Sequence, residues 1–122
     1  MSDQLSGEWR PTASPESLAV RADVLRTIRR FFRDRGVMEV ETPLLSQGTI
    51  PDAGIDVFRL PGVDDAPDRY LQTSPESAMK RLLAASSGDI FQICKAFRQG
   101  EVGRHHNPEF TLLEWYRLDW DH

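Results

Sequence analysis

Cysteine is nearly absent from this 122-residue sequence: Cys94 stands alone, which excludes an internal disulfide framework and any cysteine-based zinc cluster. It reads as a small buried side chain. Lysine is almost as scarce, with Lys80 and Lys95 the only ones among basic residues that are otherwise arginine. A basic excess is missing too. Asp plus Glu number 19 against 15 for Lys plus Arg, a formal net charge of −4, which is unlike a dedicated nucleic-acid binder. No apolar run approaches the roughly 18 residues of a membrane-spanning helix. Residues 1–10 carry no signal-peptide stretch, so the expectation is a soluble, cytoplasmic chain. What is present is ordinary for a globular protein: 39% hydrophobic and 28% charged residues argue against wholesale disorder. The length suits one small domain or a piece of a larger one.

Residues 1–13 read as a polar lead-in, and residues 14–122 as part of one domain. Ser14-Pro15-Glu16 is a helix start: a hydroxyl cap, a proline in the first turn, then an acid. Leu18, Ala22, Leu25, Ile28 and Phe32 follow at helical spacing, and Gly36 is a suitable stop. Arg21, Arg26, Arg29, Arg30 and Arg33 occupy the outer face, read as solvated in preference to a polyanion site. Residues 37–41 alternate as a short strand that Pro43 ends, and residues 46–54 predict a loop. Residues 55–60 and 70–73 predict strands around a turn holding Asp64, Asp65 and Asp68, whose spacing supports no metal site. Ser74-Pro75-Glu76 repeats the helix-start grammar, and that helix runs through Met79, Leu82 and Leu83 to Gly88. Residues 90–98 predict an apolar strand, residues 99–108 a loop, and residues 109–116 another strand. The fold class expected is α+β.

Strand parity gathers the chemistry. Phe110, Leu112, Glu114 and Tyr116 share one face of the last strand, and Cys94, Ala96 and Arg98 share one face of the strand before it. An antiparallel hairpin would place an arginine, a carboxylate and two aromatics on one surface. The intervening loop has Gly100 and Gly103 for close backbone approach and Arg104, His105 and His106 as donors, a composition able to fold over a polyphosphate. The plainer alternative is a solvated loop with a buried Glu114–Arg98 pair. Two adjacent histidines without a third ligand carry no metal site.

Phe97-Arg98 with His106-Asn107-Pro108-Glu109-Phe110-Thr111 and Glu114-Trp115-Tyr116 resembles the second signature motif of class II aminoacyl-tRNA synthetases, in its lysyl form. The run from Arg35 through Gly36 to Pro43 resembles the first signature motif, which builds the dimer interface. Thr73-Ser74-Pro75-Glu76 and Lys80-Arg81-Leu82 resemble the segment between them. The resemblance spans residues 18–116. It is nearest a lysyl-type branch that attaches lysine to elongation factor P, because the first motif's helix begins too early for an anticodon-binding barrel to precede it, and because of Glu114-Trp115-Tyr116-Arg117. Lysyl-tRNA synthetase itself, with tRNA as acceptor, is the alternative. A short non-catalytic nucleotide-binding or dimerisation module is another.

The resemblance implies an antiparallel sheet with flanking helices and the following roles. Arg98 would contact the α-phosphate of ATP and the amino-acid carboxylate. Phe110 would stack on adenine, with Gln99, Gly100, Glu101, His106 and Asn107 around the nucleotide. Glu114 would meet the side-chain ammonium of lysine or β-lysine, Tyr116 would border that pocket, and Ser74, Pro75 and Glu76 would hold the amino end. Gly36 and Pro43 would mark a homodimer motif. Gly100 departs from the acid usual at its position, and Glu101 follows it. The third motif and the carboxylates for Mg2+ have no counterpart in these residues, so the chain is expected to be the N-terminal part of a catalytic domain and inactive alone.

Overall fold

The computed structural model describes residues 9–47, 57–99 and 107–118. The chain divides after Arg35 into two compact units. The first is built on helix α1 (Pro15–Asp34), which starts where its capping residues predict. Ser14 is extended and its Oγ accepts the Ser17 N–H at 3.0 Å, while Pro15 fills the first turn without wasting a donor. Gly36 follows the end of the helix with φ +72°, a conformation that a side chain would strain. The expected apolar stripe is only partly covered. Phe32 is buried, Leu25 and Ile28 are half-buried, and Leu18 and Ala22 are exposed. Val20, Val24 and Phe31 form a second, exposed stripe on the same helix.

The second unit holds two small sheets. Strands β1 (Met38–Glu39), β5 (Ile90–Phe97) and β6 (Glu109–Tyr116) form one, in the order β1-β5-β6. Strands β2 (Leu45–Ser46), β3 (Arg59–Leu60) and β4 (Arg69–Leu71) form the other, in the order β2-β4-β3. Helix α2 (Glu76–Ala84) lies between β4 and β5 in sequence. The architecture is α+β, as expected. The expectation of a purely antiparallel sheet is corrected at one edge: β1 runs parallel to β5, with Met38 opposite Ile90. The long connection through the second sheet and α2 makes parallel pairing possible, where a tight turn would not.

Three local expectations also change. Ser46, placed in a loop by its sequence, pairs with Tyr70 in β2. Helix α2 begins at Glu76 with Pro75 as its cap, so Ser74 stands one place outside, its Oγ accepting the Glu76 N–H at 3.4 Å. The helix ends at Ala84, before the predicted Gly88, and Ser86 and Gly88 both take positive φ in the turn that follows. Asp68 in the acidic turn accepts from the Gly62 N–H at 2.9 Å and from Arg59 at 2.7 Å, contacts that hold its carboxyl below the ordinary range. That carboxylate shapes the turn.

The core of this unit is Val37, Pro75, Met79, Ile90, Phe91 and Ala96. Ile90, Phe91 and Ala96 belong to β5, the central strand of the sheet β1-β5-β6. Among the described residues no helix is long and apolar enough to cross a membrane.

Candidate functional site

Strands β5 and β6 pair without interruption from Ile90↔Tyr116 to Phe97↔Glu109. The Arg98 N–H donates to the Pro108 carbonyl at 2.9 Å and extends the ladder by one step. Directly opposed residues share a face. One face therefore carries Ile90, Gln92, Cys94, Ala96 and Arg98 beside Phe110, Leu112, Glu114 and Tyr116, the set that parity predicts with Ile90 and Gln92 added. Small side chains lie at the middle of this face and charged or aromatic ones at its ends.

At one end the Arg98 guanidinium sits 5.6 Å from the centre of the Phe110 ring. At the other the Tyr116 hydroxyl donates to Glu114 Oε2 at 2.7 Å. Phe110 and Glu114 are four residues apart, about 13 Å along the strand. The alternative of a buried Glu114–Arg98 pair fails on register. Glu114 faces Gln92, six residues or about 20 Å from Arg98, beyond the reach of the two side chains together. The two groups are separate stations on one surface.

Ser74, Pro75 and Glu76 approach from the start of α2. They are carried there by Gln72, whose N–H donates to the Leu44 carbonyl at 3.0 Å and whose carbonyl accepts the Phe97 N–H at 2.9 Å. The Gln72 side chain also donates to the Lys95 carbonyl at 2.7 Å and to Cys94 Sγ at 3.5 Å. Pro75 is buried and its carbonyl accepts the Met79 N–H. Glu76 accepts from Lys80 Nζ at 2.6 Å. Burial first, then the Glu114 hydrogen bond and charge and the charge of Glu76, push the Tyr116 phenol up from its ordinary value. The phenol is thus a neutral donor. Glu76 and Glu114 both act on it, so α2 and β6 contribute to one acidic corner.

Other expected residues have local work. Gln99 Nε2 donates to the Val57 carbonyl at 3.0 Å, and Asn107 Oδ1 accepts the Glu109 N–H at 3.1 Å, shaping the entry to β6. Pro43 is exposed, next to the half-buried Thr42. Gly100, Glu101, Arg104, His105 and His106 lie outside the described residues. Among the described residues no three His, Cys, Asp or Glu side chains are grouped to hold a metal.

Gln92 is the residue that sequence reading passes over. It is 1% exposed, donates through Nε2 to Thr42 Oγ1 at 3.0 Å, and accepts the Thr42 N–H at 3.1 Å. It fastens the segment after β1 to the same face as the site, opposite Glu114. Its signal was a lone amide at inward parity in an apolar strand. Gln92→Leu leaves the Thr42 groups without these partners, and a loss of about 1–3 kcal/mol in denaturant unfolding is expected.

Cys94 and Tyr116 also make the fold sensitive to alkali. Burial, more than the Glu114 charge, raises the Cys94 thiol above its ordinary value of 9.0, against a lowering by the Gln72 hydrogen bond. Folded protein then holds protons that unfolded chain releases, so the stability from each group is present below its ordinary value and is lost as pH rises through the folded one. The melting temperature is expected to fall as pH passes the ordinary thiol range and again in the phenol range. Cys94→Ala removes the first decline, and an unchanged curve would show that thiol burial contributes nothing.

The family model described as tRNA synthetases class II (D, K and N) matches residues 7–121. A protein of Pectobacterium carotovorum named elongation factor P–(R)-β-lysine ligase is 56% identical over 117 residues, covering 93% of this chain and 36% of the relative. A protein of the same name from Erwinia tasmaniensis is 55% identical over 125 residues, covering 99% of this chain and 38% of the relative. One from Salmonella paratyphi B is 54% identical over 117 residues. The chain spans little more than a third of the length of these curated relatives. With a hairpin face that separates an arginine–aromatic end from a carboxylate end, and a family match along almost its whole length, the chain belongs to the class II tRNA synthetase family.

Proposed function

We propose that this chain supplies part of a site that activates lysine or (R)-β-lysine with ATP and passes it to a lysine of elongation factor P. The observation that carries this reading is the order of groups along the β5–β6 face: Arg98 and Phe110 at one end, Glu114 and Tyr116 at the other. Phe110 offers a ring for adenine to stack on, and Arg98 beside it offers a fork for the α-phosphate and the substrate carboxylate. Glu114, half-buried and bonded to a neutral phenol, is suited to an ammonium group. Ser74 and Glu76, at the start of α2, would take the amino end of the same substrate.

In the first step a carboxylate oxygen of the amino acid attacks the α-phosphorus in line. A P–O bond forms to give the acyl-adenylate, and the bond to pyrophosphate breaks. In the second step an acceptor amine attacks the acyl carbon, loses a proton, and AMP leaves with the electron pair of the C–O bond. No side chain becomes covalently attached. The protein's contribution is positioning and the stabilisation of charge on phosphate oxygens by Arg98. Magnesium, expected with ATP in this family, would neutralise phosphate charge when bound, and its ligands are expected outside these residues.

The exposed Val20, Val24 and Phe31 stripe on α1 supports a homodimer in which a second copy covers this helix. Because the chain spans 36–38% of its relatives' length, the pure 122-residue chain is expected to release no appreciable pyrophosphate with lysine and ATP. Appreciable release would show that these residues contain a whole site.

The acceptor is tested by giving the gene product that contains this chain ATP, labelled lysine or β-lysine, and either elongation factor P or tRNA. Label on the protein, stable to mild base, supports the proposal. Base-labile label on tRNA overturns the acceptor and leaves amino-acid activation standing.

A further inference from the structure

Glu76 stands at the first position of α2, where a side chain of three rotatable bonds projects toward solvent. It is not left to swing. Lys80, one helical turn later, places its ammonium 2.6 Å from Glu76 Oε2. The order, acid before base at four residues' spacing, is the favourable one on a helix. Both side chains are more than half exposed, at 54% and 59%. An exposed pair of this kind adds little to folding, so its place at the site calls for another reason. The ammonium is held firmly charged by the hydrogen bond and charge of Glu76, and it also feels the charge of Glu114 across the corner. Of the chain's two lysines it is the one paired with a residue of this corner.

We propose that Lys80 is a positioning residue that fixes Glu76 so that its second oxygen, Oε1, receives the amino group of the substrate. This rests on the lysine-activating reading above and adds to it a division of labour between the two carboxylates. Glu114 takes the side-chain ammonium and is oriented by a neutral phenol. Glu76 takes the amino end and is oriented by a permanent cation. Without Lys80 the Glu76 side chain must be ordered by the substrate itself, a cost that appears as weaker binding.

The test is calorimetric, on the gene product that contains this chain, with two probes. L-lysine carries both ammonium groups, while n-pentylamine carries the terminal ammonium and no amino-acid end. Lys80→Met is expected to weaken L-lysine binding about five- to tenfold and to leave n-pentylamine within about twofold. Lys80→Arg, which keeps a permanent cation on a long side chain, is expected to restore lysine binding. Circular dichroism of the variant checks that α2 persists, as expected for an exposed pair. Unchanged lysine affinity in Lys80→Met overturns the inference. So does an equal loss for both probes, which would mark a general structural role. Absence of lysine binding in the unsubstituted protein overturns the lysine-activating reading and this inference with it, and the control alone reveals that case.

Discussion

In the gene product that contains this chain, Arg98→Ala is expected to lower lysine-dependent exchange of pyrophosphate into ATP by about 10²- to 10³-fold, the usual cost of removing one preorganised donor at a centre of developing charge. The effect should fall on the rate more than on the affinity for either substrate. Charge on the phosphate oxygens grows toward the transition state, and a rigid guanidinium aimed there contributes most at that moment. In the proposed site Arg98 would act from a fixed position. Its backbone is locked to Pro108 at the end of the ladder and its guanidinium packs over Phe110. Arg98→Lys should recover only part of the rate, because an ammonium cannot contact two oxygens in one plane. A wild-type rate in Arg98→Ala would remove Arg98 from the reaction and with it the ATP end of the proposed site.

At the other end of the same face, Glu114→Gln should act on selection. The carboxylate is half-buried, and the described hydrogen bond to it comes from the neutral Tyr116 hydroxyl. A hydrogen bond to a charged group contributes about 1.5–3 kcal/mol, so the KM for lysine should rise about 10- to 100-fold. The preference for lysine over norleucine, which lacks the terminal ammonium, should shrink by a similar factor. Tyr116→Phe should have a smaller effect in the same direction, since it removes the orienting donor and leaves the charge. Equal losses for lysine and norleucine in Glu114→Gln would mean that Glu114 supports the hairpin and does not read the substrate.

These expectations rest on parts of the fold that were legible in residue order. Helix α1 announces its start through Ser14, Pro15 and Glu16 and its end through Gly36, because capping is local chemistry. Strand β6 follows the predicted limits, 109–116, and β5 stops one residue short of them. Their alternation alone places Arg98, Phe110, Glu114 and Tyr116 on one face once the register is known.

What was not legible depends on partners distant in sequence. Strand β2 is two residues long and held by backbone bonds to β4, and so short a strand has no periodicity to read. The parallel pairing of β1 is set by where β5 lies, which β1's own residues do not encode. The tripeptide Ser-Pro-Glu begins helices in two different ways. Ser14 is free to take the capping position, whereas the approach to Ser74 is fixed by Gln72, fastened to Leu44 on one side and Phe97 on the other. The contacts of Gln92 and of Lys80 are hidden for a similar reason. Each works on a neighbour, Thr42 or Glu76, and a residue type alone does not reveal whom it touches.

The most direct test of the account is amino-acid-dependent exchange of labelled pyrophosphate into ATP by the gene product that contains this chain, run with lysine, (R)-β-lysine, norleucine, aspartate and asparagine. In the proposed site the Glu114 carboxylate would require an ammonium on the substrate side chain. Exchange with lysine or (R)-β-lysine, and none with the other three, is the result predicted. Exchange supported by aspartate or asparagine, or by norleucine as well as by lysine, would contradict the assignment of Glu114 and the lysine-activating reading built on it.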